Sequence, residues 1–218
     1  MMLAFPLFLT LRKVLVLILT GTLFFGCSLS KNQATRFYVL NPMEPSQTLR
    51  SDADHQESLS VEVASLRLPQ YLERPQIVTR SSENQLDLAE FHQWGGNLRK
   101  DMMRVFAKNL SQLLDTPHIS FSNHSSQTSP DFVVELEIIK FEKDPDEKVR
   151  LSAQWRLSSG KDRKPMTTQI SELESLKLNS DPEMEQTVAT MSTILGEFSK
   201  MIGLEIFKQA AGRIGPGN

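Results

Sequence analysis

From Val149 to Ser158 apolar and polar residues alternate without a fault. Val149, Leu151, Ala153, Trp155 and Leu157 stand against Arg150, Ser152, Gln154, Arg156 and Ser158. Successive side chains of a strand point to opposite faces, so this run reads as a half-buried strand with one wet face. Before it, Phe132, Val134, Leu136 and Ile138 alternate with Val133, Glu135, Glu137 and Ile139, and Asp144-Pro145-Asp146-Glu147 links the two as a hairpin. Gly160-Lys161-Asp162 turns the chain into a third strand near Met166 to Glu172. A meander of this kind leaves an apolar face that other elements must cover.

Two helical patterns supply the cover. Leu98, Met102, Val105, Phe106, Asn109, Leu110 and Leu113 fall on one side of a helix from about Gly96 to Asp115, which Pro117 stops. A second helix starts at Asp181-Pro182-Glu183, with a capping side chain, a proline at the first helical position and an acid in the first turn. Its buried stripe is Met184, Val188, Met191, Leu195, Phe198, Ile202 and Ile206, and Gly212 is its expected stop. Beside that stripe runs a seam of small residues: Ala189, Ser192, Gly196, Ser199, Gly203 and Ala210. A glycine inside a helix costs about 1 kcal/mol relative to alanine, so the seam implies a close approach. The partner in that approach is either the sheet or a helix of another subunit.

The first half of the chain reads as shorter strands. Arg36 to Leu40 is one, closed by Asn41-Pro42, and a polar loop follows from Met43 to about Ser58. Leu59, Val61 and Val63 alternate, and the apolar set then shifts to Leu66 and Leu68, which implies a bulge near Ala64 before Pro69 ends the strand. Tyr71 to Pro75 is a turn, Ile77-Val78-Thr79 a short strand, and Leu86-Asp87-Leu88 a further extended piece. The expected fold is α+β: a single domain whose mostly antiparallel sheet carries two long helices packed on one face.

Cys27 is the only cysteine of the 218 residues. Arg12 and Lys13, the apolar run Val14 to Leu19, and then Leu23-Phe24-Phe25-Gly26-Cys27 form the charged, apolar, small-residue order of an export signal with a cysteine at the cut. The expectation is cleavage between Gly26 and Cys27, a diacylglycerol thioether on the Cys27 sulfur and an acyl chain on the new amine. Gly21 interrupts the apolar run, which falls short of the roughly 20 residues that span a bilayer. Residues 1–26 are thus a lipoprotein signal peptide, 27–35 the lipidated cysteine and tether, 36–212 the folded domain and 213–218 a flexible tail. Ser28, where an aspartate could stand, favours the outer membrane.

Without residues 1–26 the chain has 22 basic against 26 acidic residues. That balance is no footprint for nucleic acid or for adsorption to an anionic bilayer. The sequence also lacks the usual signs of catalysis. His55, His92, His118 and His124 show no one-turn helical spacing of a zinc site, there is no Gly-x-Ser-x-Gly, and Gly95-Gly96 is not a phosphate loop. Glu135 and Glu137 share a strand face that reads as solvent-facing. Trp155 reads as core, and Trp94 either staples the first helix or contacts a partner. No enzyme, no metal and no cofactor beyond the covalent acyl chains is expected.

Residues 68–80 read Leu-Pro-Gln-Tyr-Leu-Glu-Arg-Pro-Gln-Ile-Val-Thr-Arg, followed by Trp94, Leu98 and Val105-Phe106-Ala107-Lys108-Asn109-Leu110. With the opening Phe37-Tyr38-Val39-Leu40-Asn41-Pro42 and the later Leu151-Ser152-Ala153-Gln154-Trp155, this resembles the ABC-type transport auxiliary lipoprotein family, which includes the lipoprotein of the paraquat-inducible operon. Gln93 and Gly95-Gly96-Asn97 depart from the usual pattern of that family. The resemblance implies a non-enzymatic role: an outer-membrane-anchored partner that docks an MCE-domain protein of the inner membrane, within a lipid transport system that supports membrane integrity. A homo-oligomeric ring would match a symmetric conduit. By resemblance and chemistry together, the candidate partner-binding residues are Tyr71, Arg74, Pro75, Arg80 and Trp94. The competing reading of the same residues has Pro69 and Pro75 shaping the chain, with Arg74 and Arg80 paired to acids such as Glu73 or Asp87. The competing functions are a lipid-binding carrier module and an envelope assembly factor for an outer-membrane barrel.

Overall fold

The structure, a computed structural model, describes residues 34–45, 59–122, 129–179 and 183–214. The signal peptide, Cys27, most of the tether, His55, His124 and the Asp181-Pro182 start signal lie outside the described residues. The described residues from Thr35 onward form one compact unit.

Its elements are β1 (Arg36–Tyr38), β2 (Val61–Arg67), a single 3-10 turn (Gln70–Leu72), β3 (Gln76–Ser82), β4 (Gln85–Trp94), α1 (Leu98–Leu113), β5 (Ile119–Phe121), β6 (Phe132–Lys143), β7 (Val149–Ser159), β8 (Pro165–Glu174) and α2 (Met184–Ile214). The eight strands make one mixed sheet, and the fold is α+β as expected. The long ladders β6–β7 and β7–β8 are antiparallel, as is β3–β4. The parallel pairings are β1 with β4, β2 with β5 and β6, and the single contact of β3 with β6.

The helix–sheet layer is filled by large side chains. Phe106 of α1, Phe198 of α2 and Trp155 of β7 are each at most 1 % exposed, and the two phenylalanine rings lie 6.2 Å apart. The stripe foreseen on α1 is buried in full, Asn109 included. Asn97 caps that helix by accepting the Lys100 N–H at 3.0 Å, and the chain leaves it through Asp115 at φ 48°. The bulge foreseen near Ala64 is present: the β2–β6 register shifts between Val63 and Ser65. A second one lies on β6, where the register shifts between Ile138 and Lys140. It returns Phe141 to the core, which carries β6 four residues past Ile139. Gly160 closes the meander by donating its N–H to the Asp131 carbonyl at 2.9 Å. A Cβ there would lie 1.6 Å from the Pro130 carbonyl oxygen, so the position admits only glycine.

Four details differ from the sequence reading. β4 runs ten residues rather than three, because its side chains are half-exposed on both faces and leave no alternation to read. Ile119–Phe121 adds a short parallel strand. Gly212 does not stop α2, which continues to Ile214, so the tail expected from residue 213 begins inside the helix. At Ser192, Gly196 and Ser199 the small-residue seam of α2 meets residues 41–43 and α1 of the same chain. Ser192 Oγ accepts the Asn41 N–H at 3.1 Å, Ser199 Oγ accepts from the Asn109 amide at 3.1 Å, and Gly196 faces Met43. The middle of the seam is therefore covered within the chain by residues 41–43 and α1, while Ala189 stays exposed. A Cβ on Gly196 would sit 3.6 Å from the Met43 Cβ, an ordinary contact. Gly196→Ala is accordingly expected to stabilise the fold by up to about 1 kcal/mol through helix propensity, read as a raised midpoint of thermal or urea unfolding. A lowered midpoint would mean that the backbone approach is tighter than this geometry.

Candidate functional site

The motif around residues 68–80 occupies a break in the sheet. β7 pairs with β6 along nearly all of its length, so β2 and β3 must share the other side of β6. β2 stops at Arg67 opposite Glu137, and β3 touches β6 only where Thr79 meets Lys143. Residues 68–75 loop out between them, beside the bulged part of β6. Pro69 enters that loop with extended backbone and its carbonyl accepts the Leu72 N–H at 2.9 Å, closing the 3-10 turn. Leu72, Ile77 and Val78 then plug into the core.

Tyr71 and Arg80 converge on Glu142, whose side chain is completely buried. The Tyr71 hydroxyl donates to Glu142 Oε2 at 2.7 Å and also reaches the Ile139 carbonyl at 3.3 Å. Arg80 places two nitrogens on Oε1, Nε at 2.9 Å and Nη2 at 2.7 Å, while Nη1 donates to the Glu83 carbonyl at 2.9 Å. The Phe141 N–H donates to Oε2 at 3.2 Å. A buried carboxylate is tolerated when paired and fully hydrogen-bonded, and this one is. Burial, and then the hydrogen bond and charge of Glu142, push the Tyr71 hydroxyl well above its ordinary range, so it stays a donor. For Arg80, burial acts to lower the pKa, but the hydrogen bonds and charge of Glu142 outweigh it and the guanidinium is held more firmly protonated.

Of the five candidate partner contacts, the structure thus brings Tyr71 and Arg80 together as a lock across the break. Arg74 and Pro75 stand exposed on the same turn, and the Pro75 carbonyl accepts the Trp94 N–H at 2.8 Å. Trp94 is 5 % exposed; its rim borders a shallow groove with Val39, Gly95 and Gly96. The acid paired with Arg80 is neither Glu73 nor Asp87. Arg80 takes Glu142, and Glu73 faces Arg99 at 3.9 Å. Glu142 is the residue sequence reasoning missed. Its signal was the interruption of the β6 alternation, which places an acid next to an inward Phe141.

An open cleft of about 710 Å³ adjoins the lock, bordered by Arg80, Lys140, Asp144, Arg150 and Glu174. Its charges are largely matched: Arg150 bridges Asp144, Asp146 at 2.9 Å and Glu174 at 2.5 Å. Glu135 and Glu137 pair with Arg156 and Arg67 on the sheet surface. His92 meets the Tyr38 hydroxyl at 2.7 Å through Nδ1. Among the described residues no group of three or more His, Cys, Asp or Glu is placed to hold a metal ion, and no helix is long and apolar enough to cross a membrane. What this arrangement does chemically is hold a rigid, exposed Arg74–Pro75 corner on a locked base.

Comparisons with known proteins agree with the geometry. One solved structure, of an uncharacterised protein, superposes with a TM-score of 0.62 at 19 % identity, covering 79 % of this chain and 99 % of its own. Another, a Xanthomonas campestris protein of the DUF330 family, gives 0.65 at 12 % identity, covering 82 % of this chain and 99 % of its own. At these identities the likeness speaks for the fold. No curated protein matches. The family model for the ABC-type transport auxiliary lipoprotein component matches residues 38–203, nearly the whole described domain, and that family is one of transport accessories rather than enzymes. The chain belongs to the ABC-type transport auxiliary lipoprotein family.

Proposed function

We propose that this protein is the outer-membrane-anchored lipoprotein subunit of an MCE-type ABC lipid transport system, and that it docks the periplasmic end of the conduit. The observation that carries the reading is the family match over residues 38–203, joined to the lipidation signal ending at Cys27. The acyl chains on Cys27 hold the domain at the periplasmic face of the outer membrane. An anchored domain searches for its partner over a surface rather than a volume, which raises its effective concentration at the docking site. Docking runs through the Arg74–Pro75 corner, with Tyr71 and Arg80 keeping it rigid. Arginine is well suited to such contacts, and a preorganised turn loses little entropy on binding. A ring of copies would match a symmetric conduit.

The carrier alternative is less well supported. Phe106, Leu195, Phe198, Ile202 and Trp155 occupy the space between helices and sheet that an acyl chain would need.

Affinity capture of the full-length protein from crosslinked cells, with mass spectrometry of what comes with it, tests the reading. An MCE-domain protein is expected, and it should be lost on Arg74→Glu, an exposed change that leaves the Glu142 lock intact. Cys27→Ala should move the protein from the membrane fraction to the soluble fraction. Recovery of a β-barrel in place of the MCE-domain protein would overturn the docking role in favour of an assembly factor.

A further inference from the structure

Among the residues described as exposed, two large apolar side chains sit together where the folded domain begins. Phe37 is 66 % exposed and Val39 53 % exposed. They lie two residues apart on extended chain and so share a face, while Tyr38 between them turns the other way to meet His92. Among the described strands β1 pairs with β4 alone and forms an edge of the sheet. Phe37 and Val39 border an open groove of about 400 Å³ whose other wall is the first turns of α2, with Val188 and Ala189. On the other side Val39 borders the groove with Gly95 and Gly96, where there are no side chains to stand above it. Arg36 and Lys100, both exposed, stand beside these grooves; the acids are Glu185 near Phe37 and Asp101 near Val39, the latter paired with Arg104.

We infer that this patch is a lipid-contact surface: Phe37 and Val39 rest in the headgroup–acyl boundary of the bilayer that the anchor occupies. The inference rests on the anchored reading above. Phe37 lies ten residues after Cys27, so the backbone between them spans at most about 35 Å. The intervening Ser28 to Thr35 contains Lys31 and no acid. The lipid cannot leave the bilayer, and the first apolar side chains after the tether are these two. Aromatic and aliphatic side chains flanked by Arg and Lys suit an interface in which one part is apolar and the next is phosphate. Such a contact does not replace the acyl chains. It fixes the angle at which the domain stands on the membrane, and so where the docking corner points.

The lipid-modified chain has no free thiol, because its one cysteine carries the lipid. Phe37→Cys can therefore be labelled at a single site with an environment-sensitive NBD fluorophore. Lys161→Cys serves as the reference. It sits on the β7–β8 turn, five strands away across the sheet by the pairing β1–β4–β3–β6–β7–β8, roughly 24 Å at the usual spacing. Full-length lipidated protein is reconstituted into vesicles of phosphatidylethanolamine with a minority of phosphatidylglycerol, some of them carrying acyl-chain spin labels. The expected result is several-fold stronger quenching at position 37 than at position 161, and loss of that difference on adding Val39→Glu. Equal or absent quenching at both positions in protein that floats with the vesicles overturns the contact surface and leaves the anchor standing. Protein that fails to float overturns the anchored reading itself, and the surface with it.

Discussion

Arg80→Ala is expected to lower the unfolding free energy by about 3–5 kcal/mol, the usual cost of stranding one member of a buried ion pair. The side chain of Glu142 has no exposed surface, and without Arg80 its Oε1 loses both of its donors. Tyr71 and the Phe141 N–H still serve Oε2, so the fold is weakened rather than abolished. Urea unfolding of the mature chain, followed by tryptophan fluorescence, measures the loss. Replacing both partners, as Arg80→Met with Glu142→Leu, should recover most of it, because an apolar pair carries no desolvation cost. A single-variant cost under about 1 kcal/mol would place the pair among ordinary surface ion pairs. The double variant also separates stability from docking, since it removes the polar lock of both Tyr71 and Arg80 while leaving Arg74 unchanged.

Trp155→Ala is expected to cost a similar 3–5 kcal/mol. The indole is 1 % exposed at the centre of the core, and its N–H donates to Ser171 Oγ at 3.0 Å. Two losses combine here: the largest fully buried side chain leaves a cavity between β7 and the helices, and a serine hydroxyl on β8 loses its partner. Trp94 remains as the fluorescent reporter of unfolding, so the two urea curves can be compared directly. Trp155→Phe, which fills more of the volume, should cost clearly less. Equal costs for the two variants would mean that the hydrogen bond, rather than packing, sets the loss.

The parts of the fold that follow from periodicity were legible in the chain. Val149 to Leu157 and Phe132 to Ile138 alternate because β6 and β7 are paired on both sides and present one face to the helices. The shift of phase after Val63 marked a bulge for the same reason. β4 escaped because a half-exposed strand has no single buried face to produce alternation. The candidate site was legible only as a motif. Tyr71 and Arg80 could be singled out, yet their partner lies 71 and 62 positions away along the chain. No local pattern connects such residues; the bulge on β6 that turns Glu142 toward them is a property of strand pairing. Asn109 is a further instance. It sat in an apolar helical stripe without an assigned role, and its amide turns out to join the Met43 N–H and Ser199.

The looped-out segment between β2 and β3 has a consequence for the order in which the molecule assembles. β6, β7 and β8 are neighbours in both chain and sheet, so their ladders close over short loops. β2 must find β6 from Val61 to Phe132 and β3 from Thr79 to Lys143, both far apart along the chain, and neither can borrow the other's register through the loop. Long-range parallel pairing is slow, because the loop must be closed before any contact rewards it. The C-terminal meander is thus expected to acquire amide-exchange protection first in pulse-labelled refolding, with β2 and β3 protected later and independently. Simultaneous protection of all strands would show that the sheet closes as one unit. In a chain that enters its folding compartment N-terminus first, β2 waits longest for its partner, because Phe132 follows Val61 later than His92 follows Arg36.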